Sequence, residues 1–254
     1  MTTVLLLQPS ETHPPGPLRQ WLHGGGAQVR LVRPFLADAV PEGVDGVDAV
    51  VCLGGELDAD DDQRAPWLPD IRALLAEAVR ERVPVLAIGL GAQLLALATG
   101  GVVGVMAEGP EAGLRLVAKR DAAATDPLLA DLPFTPDVVQ FHRAEITRLP
   151  ASATLLAVAP QCTNQAFRVG ASAWGLQFHI ETTPELLRQW MLAAPEVAAV
   201  MPASTDVDGV LEQGHQDVAE TWEPIVRRFA ELAGQPRGSG VGRARVDLPL
   251  LGDL

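Results

Sequence analysis

Two segments of the chain bring together residue types that could do chemistry. The first, Pro84-Val85-Leu86-Ala87-Ile88-Gly89-Leu90-Gly91-Ala92-Gln93-Leu94-Leu95, runs from one apolar stretch through small residues into another. A buried strand turning this sharply into a helix displays its tip residue above a sheet and aims backbone N–H groups at the same point. The second, Gly175-Leu176-Gln177-Phe178-His179-Ile180-Glu181, ends in His-x-Glu. That spacing lets Glu181 orient and polarise the His179 ring, the second half of a nucleophile–base–orienter system. Other reactive residues have weaker claims. Cys52 precedes a Gly54-Gly55 turn and is expected to pack as a small apolar residue. Cys162 lies in the polar run Pro160-Gln161-Cys162-Thr163-Asn164 and could be exposed, an ordinary loop thiol being the preferred reading. His13 and His215 have no partner in sequence and receive no assignment.

Positioning these groups requires a particular set of elements. Residues 4–7, 28–32 and 49–53 are apolar runs read as strands, and residues 17–23 as a short helix between the first two. Residues 67–81 carry Ile71, Leu74, Leu75, Ala78 and Val79 at the spacing of one helix face. A strand over 83–88 and a short apolar helix over 92–98, stopped by Gly100-Gly101, complete the elbow. Such alternation predicts a parallel sheet with helices on both sides. From about 114 to 159 the segments are strand-like, and 155–158, 166–169 and 173–178 suggest more sheet. Thr182-Thr183-Pro184-Glu185 has the form of a helix start, with Glu three residues after Thr182. A last helix is expected over about 207–233, closing one domain over 1–233. The remaining residues, 234–254, are expected to be a mobile tail.

Composition excludes several partners. Acidic residues number 32 against 19 basic ones, a formal net charge of −13. That balance argues against nucleic acid and against anionic membrane. The uncharged stretch 83–106 is long enough to be screened as a membrane span, but its Pro84, Gln93 and glycines punctuate shorter elements instead. Two cysteines make neither a disulfide framework nor a Cys-based metal site, and no signal peptide opens the chain, so a cytoplasmic location is expected. His23-Gly24-Gly25-Gly26 spells a lipase oxyanion motif but has no G-x-S-x-G partner, and reads as a helix end. Asp58, Asp60, Asp61 and Asp62 read as a solvated loop without fixed ligand spacing. No metal and no cofactor are expected.

Together the elbow and the His-x-Glu strand resemble the class I, or triad, glutamine amidotransferases. The family's G-x-C-x-G-x-Q elbow is matched by Ala87-Ile88-Gly89-Leu90-Gly91-Ala92-Gln93, and its Q-F-H-P-E by Gln177-Phe178-His179-Ile180-Glu181. Leu53-Gly54-Gly55 is similar to the family's oxyanion-hole turn, and Gln140-Phe141-His142 to its Q-W-H segment. Asn164-Gln165-Ala166-Phe167-Arg168 resembles a strand of its stand-alone, GMP synthase-like members. The resemblance implies a flavodoxin-like α/β fold, a central, mostly parallel sheet flanked by helices with a small antiparallel sheet. It also implies site roles: His179 and Glu181 as base and orienter, Gly55 and Leu90 as oxyanion-hole donors, Gln93 and His142 as ligand contacts. The family's nucleophilic Cys falls on Gly89, so no thiolate can form a glutamyl thioester. Three readings stay open: a pseudo-glutaminase binding glutamine, a related amino acid or a partner; an enzyme using His179 and Glu181 with altered chemistry; and an inactivated Cys→Gly variant. Amide transfer would need a separate synthetase or acceptor protein, because nothing after Met191 resembles one and no nucleotide-binding loop appears.

Overall fold

The strand β1 (Thr2–Leu7) is apolar from Val4 to Leu7 because both of its faces are covered. The computed structural model describes residues 1–235. After β1 come α1 (Leu18–Gly24), β2 (Ala27–Val32), β3 (Ala49–Cys52), α2 (Leu68–Arg80), β4 (Val85–Ile88) and α3 (Leu90–Ala98). Six β-segments follow: β5 (Val102–Val105), β6 (Glu111–Leu116), β7 (Ala118–Lys119), β8 (Asp137–His142), β9 (Ala144–Arg148) and β10 (Ala153–Val158). The chain then runs through β11 (Ala166–Val169), β12 (Ala173–Leu176), α4 (Pro184–Ala193), α5 (Pro195–Ala198) and α6 (Val207–Ala233).

The main sheet has eight strands in the order β2-β1-β3-β4-β12-β11-β10-β7. Pairing is parallel from β2 to β12 and antiparallel from β12 to β7. Side chains along β1 alternate between two cores. Val4 and Leu6 join Trp21, Trp222 and Phe229 on the side of α1 and α6. Leu5 and Leu7 join Ile71, Leu74 and Leu94 on the side of α2 and α3. Two small antiparallel pairs, β5 with β9 and β6 with β8, flank the sheet. This is the α/β class expected from the strand–helix alternation.

Several local expectations are corrected. Helix α3 starts at Leu90 rather than residue 92, directly after Gly89, and β4 starts at Val85. Val83 instead donates its N–H to Ala78 O at 2.8 Å, tying down the end of α2. The cap of α4 is Thr183, whose hydroxyl accepts from Leu186 N at 3.2 Å. Thr182 is buried and engages His215 Nε2 at 3.1 Å. Pro184 at the first helical position puts the capping duty on the residue immediately before it. Cys162 is fully buried, not an exposed loop thiol, because its loop folds back so that Ala159 N donates to Cys162 O at 3.1 Å. Among the described residues no helix is long and apolar enough to cross a membrane. Of the expected tail, residues from 236 onward lie outside the described residues.

Candidate functional site

The elbow is built on Gly89. Its N–H donates to Leu176 O at 2.8 Å, extending the β4–β12 ladder by one residue. Its backbone then takes φ 55° and ψ −117°, a conformation that a residue bearing a Cβ adopts only under strain. Two residues on, Gly91 allows α3 to settle on β3: a Cβ there would stand 2.2 Å from Cys52 O. Leu90 is the first residue of α3, so its N–H has no acceptor within the helix. Gly55, on the loop after β3, lies against the Leu90 side chain, and a Cβ on it would stand 2.7 Å from Leu90 Cδ2. Neither the Gly55 nor the Leu90 N–H is assigned an acceptor among the described residues.

His179 faces this elbow from the strand segment that follows β12. An antiparallel bridge fixes its backbone to β8, with His179 N donating to Val139 O at 2.8 Å and Val139 N to His179 O at 3.1 Å. Glu181 Oε1 lies 2.8 Å from His179 Nδ1, and Glu181 Oε2 accepts from Ile180 N at 2.9 Å. Both side chains are buried. A carboxylate on Nδ1 places the ring hydrogen there and leaves Nε2 as the free nitrogen. That nitrogen looks onto Gly89. A Cβ at residue 89 would stand 3.2 Å from Nε2 and 2.8 Å from Cε1, and a Cβ at Gly54 would also stand 2.8 Å from Cε1. The ring is wedged between two glycines.

A second histidine shares the site, and nothing in the sequence near it points there. His13 stacks on Trp190 with ring centroids 4.2 Å apart and lies 5.7 Å from the His179 ring. Trp190, whose Nε1 donates to Thr12 O at 2.7 Å, also packs edge-on against His179 at 4.7 Å. Glu56 accepts hydrogen bonds from the Ser10 hydroxyl and, at 2.6 Å, from Thr12 Oγ1. Thr12 Oγ1 thus has a lone pair for His13 Nδ1 at 2.9 Å. Burial, reinforced by the neighbouring His179, pulls the His13 pKa well below the ordinary histidine value. Partial burial would raise the Glu56 carboxyl, but the Ser10 and Thr12 hydrogen bonds outweigh it and hold it below the usual range. One general signal existed: the loop after the first parallel strand belongs to the carboxyl edge of the sheet, where open α/β folds place their sites.

Buried amides form the floor. Gln93 Nε2 donates to Ala144 O at 3.2 Å and reaches Gln177 Oε1 at 3.4 Å. Beneath them Gln165 Nε2 donates to Glu111 Oε2, and Gln140 Nε2 to Gln165 Oε1, both at 2.8 Å. His142 borders the cavity, but both of its nitrogens are engaged by oxygens, Nδ1 by Ala144 O at 3.0 Å and Nε2 by Gln140 Oε1 at 2.8 Å. It therefore shapes the wall without offering the cavity a free nitrogen.

The cavity has a volume of about 260 Å³ and is bounded by Gly55, Gly89, Leu90, Gln93, His142 and His179, together with His13, Gln177 and Trp190. Glu56, Asp58, Arg64, Arg143 and Glu196 also line it. Pockets for drug-sized ligands run to roughly 300–1,000 Å³, so this one suits an amino-acid-sized molecule. Glu181 stands behind the His179 ring. Neither cysteine reaches the cavity. Burial pushes the Cys52 thiol up, and burial with the charges of Glu111 and Glu145 does the same for Cys162. Two aspartates of the acidic loop form ion pairs, Asp58 with Arg143 at 3.2 Å and Asp62 with Arg72 at 2.7 Å, and Asp61 accepts from Arg64 N at 3.1 Å. Among the described residues no cluster of three or more His, Cys, Asp or Glu could hold a metal ion. His23 ends α1 and donates from Nδ1 to Ala27 O at 2.8 Å, a helix end rather than an oxyanion loop.

Comparison with known proteins bears on the family and the fold. The family described as Glutamine amidotransferase class-I matches residues 26–195. The glutamine amidotransferase-like protein YfeJ of Salmonella typhimurium is 26% identical over 222 residues, which cover 85% of this chain and 83% of YfeJ. Gamma-glutamyl peptidase 3 of Arabidopsis thaliana is 29% identical over 147 residues, 57% of this chain and 58% of the peptidase. Among solved structures, a glutamine amidotransferase from Methylobacillus flagellatus superposes with TM-score 0.81 at 24% identity, covering 94% of this chain and 98% of that one. One from Thermotoga maritima gives 0.79 at 24% identity, covering 92% and 99%. At that identity the two structures speak for the fold.

Proposed function

The chain belongs to the class I glutamine amidotransferase family, and we propose that it is a member that binds its ligand without hydrolysing glutamine. The observation that carries this reading is the contact between Gly89 and His179. The elbow tip faces His179 Nε2 but has no side chain, and the ring stands 2.8 Å from where a Cβ would be. His179 has nothing at that position to deprotonate, and an acyl-enzyme lacks its first atom. Removing the nucleophile of a cooperating triad costs on the order of 10⁶ in turnover. The binding half is retained: N–H groups at Gly55 and Leu90, the Gln93 amide and a cavity of about 260 Å³. The ligand we assign is glutamine, glutamate or a γ-glutamyl compound, the last class agreeing with the name of the Arabidopsis relative. Any amide transfer would pass through a separate acceptor protein, as in a GMP synthase-like arrangement. Two unpaired thiols, Cys52 and Cys162, suit a cytoplasmic setting.

Ammonia release and calorimetry on the purified protein test this together. With millimolar L-glutamine the protein should release no ammonia above background yet bind at least one of L-glutamine, L-glutamate and a γ-glutamyl dipeptide. Gly89→Cys should become reactive toward a glutamine-mimicking electrophile, because φ 55° is a conformation this elbow already imposes. Its turnover should stay low, since carbon atoms pack best at about 3.5–4.0 Å and the pinned His179 ring must retreat. Glutaminase activity in the unmodified chain would overturn the reading. A second reading, acid–base chemistry without a thiol, is favoured by His13 and His179, each anchored through Nδ1 and both lining the cavity. Hydrolysis of a γ-glutamyl substrate that disappears in both His13→Gln and His179→Gln would establish it in place of the first.

A further inference from the structure

Among the described residues, a single buried side-chain nitrogen or oxygen lacks a hydrogen-bond partner, and it is Gln177 Nε2. Gln177 is buried and lines the cavity. A buried amide donor without an acceptor is costly, and native structures seldom keep one without reason. Its neighbours show how easily the fold satisfies such groups. Gln140, Gln165 and Gln93 each donate from Nε2 to an oxygen at 3.2 Å or less.

Turning the Gln177 amide over does not solve the problem. Gln93 Nε2 is committed to Ala144 O and presents its hydrogens to Gln177 at 3.4 Å, so the atom facing it must be the oxygen. The Gln177 Nε2 group is thereby directed away from Gln93. The backbone adds a second constraint: Gln177 N donates to Gln165 O and His179 N to Val139 O, while Leu176, Phe178 and Ile180 all pack into one core. Gln177 and His179, which alternate with those three, are left on the opposite side, where both line the cavity. Gln93 lies one helical turn along α3 from Gly89, its N–H donating to Gly89 O at 3.2 Å. The two amides form the cavity floor below the elbow.

We infer that Gln177 Nε2 is a ligand-binding donor, held for a carboxylate or carboxamide oxygen of the molecule that fills the cavity. The inference rests on the reading that the cavity takes an amino-acid-like ligand and specifies which chemical group meets its floor. An oxygen acceptor there completes the hydrogen bonding of the amide pair. A ligand presenting an ammonium or N–H at that point would set donor against donor and be rejected.

The test is Gln177→Met, which keeps the length and bulk of the side chain and removes the donor. Calorimetric affinities for L-glutamine, L-glutamate and a γ-glutamyl dipeptide are measured on the full chain, alongside the melting temperature without ligand. The expected result is affinity weakened about tenfold or more for whichever of these the unmodified protein binds. The unliganded melting temperature should be unchanged or higher, because an unsatisfied donor has been removed. A structural amide would behave in the opposite way. Equal affinity in both proteins overturns the inference and leaves the assignment of the cavity standing. A variant that melts lower or fails to fold also overturns it, since the fold would then need this amide for itself. An unmodified protein that binds none of the three ligands removes both the inference and the reading beneath it.

Discussion

His13 stacks on Trp190 and lies 5.7 Å from the His179 ring, so protonating it would place a buried cation beside a second imidazole. The folded protein accordingly holds a proton on His13 less tightly than the unfolded chain does. Stability from this group is complete above the ordinary histidine value, near 6.5, and is lost as pH falls below it toward the depressed folded value. One such group gives a slope of at most about 1.4 kcal/mol per pH unit. Urea unfolding of the unmodified protein should therefore show stability falling between pH 7 and pH 5, and His13→Gln should flatten part of that fall. His215, also lowered by burial, accounts for a remainder, so the slope should shrink without vanishing. An unchanged slope in His13→Gln would mean that His13 is not the buried neutral group the geometry makes it.

At the scale of elements, the site depends on how closely α3 approaches β3. The close approach is made at Gly91, where a Cβ would meet Cys52 O at 2.2 Å and Leu53 O at 3.0 Å. Those are backbone atoms at the end of a central strand and just beyond it, so they cannot rotate aside as a side chain end would. Gly91→Ala should cost about 3 kcal/mol or more, the upper end for overpacking, and should also abolish ligand binding by lifting Leu90 and Gln93. Gly100 offers the control. It has φ +91° and nothing within 4 Å of the point where a Cβ would stand, so Gly100→Ala should cost only about 1–2 kcal/mol of backbone strain and leave binding intact. Unfolding free energies of the two variants, measured side by side, check the contrast.

At the scale of the molecule, the family match over 26–195 leaves out elements that the core needs. Strand β1 lies between β2 and β3, and α6 packs across α1 and β1 with Trp222, Ile225, Val226 and Phe229 buried. Losing one buried aromatic residue typically costs 3–5 kcal/mol, against a total stability of about 5–15 kcal/mol for a domain. A chain ending at residue 206 should therefore lose cooperative thermal unfolding and its near-UV circular dichroism. A sharp melting transition in that truncated chain would show that α6 is an accessory rather than part of the core.

The local features were legible in the sequence because their causes are local. Apolar runs mark β1, β3 and β4, helix-face spacing marks α2, and the last helix spans Val207–Ala233. The Gly89 and Gly91 elbow and the His-x-Glu pair were also legible, since each is a short spacing whose geometry follows from the backbone. What the tertiary structure alone decided is which further residues complete the cavity, namely His13, Gln177 and Trp190. Trp190 Nε1 meets Thr12 O, and Gln93 meets Gln177, across separations of 178 and 84 residues. Periodicity says which residues are buried but not which buried residues meet. His13 therefore has no assignment from sequence, Cys162 reads there as a loop thiol, and nothing marks Gln177 as the amide left without an acceptor. Those facts follow from the strand order, because a parallel sheet gathers the loops at its carboxyl edge whatever their distance along the chain.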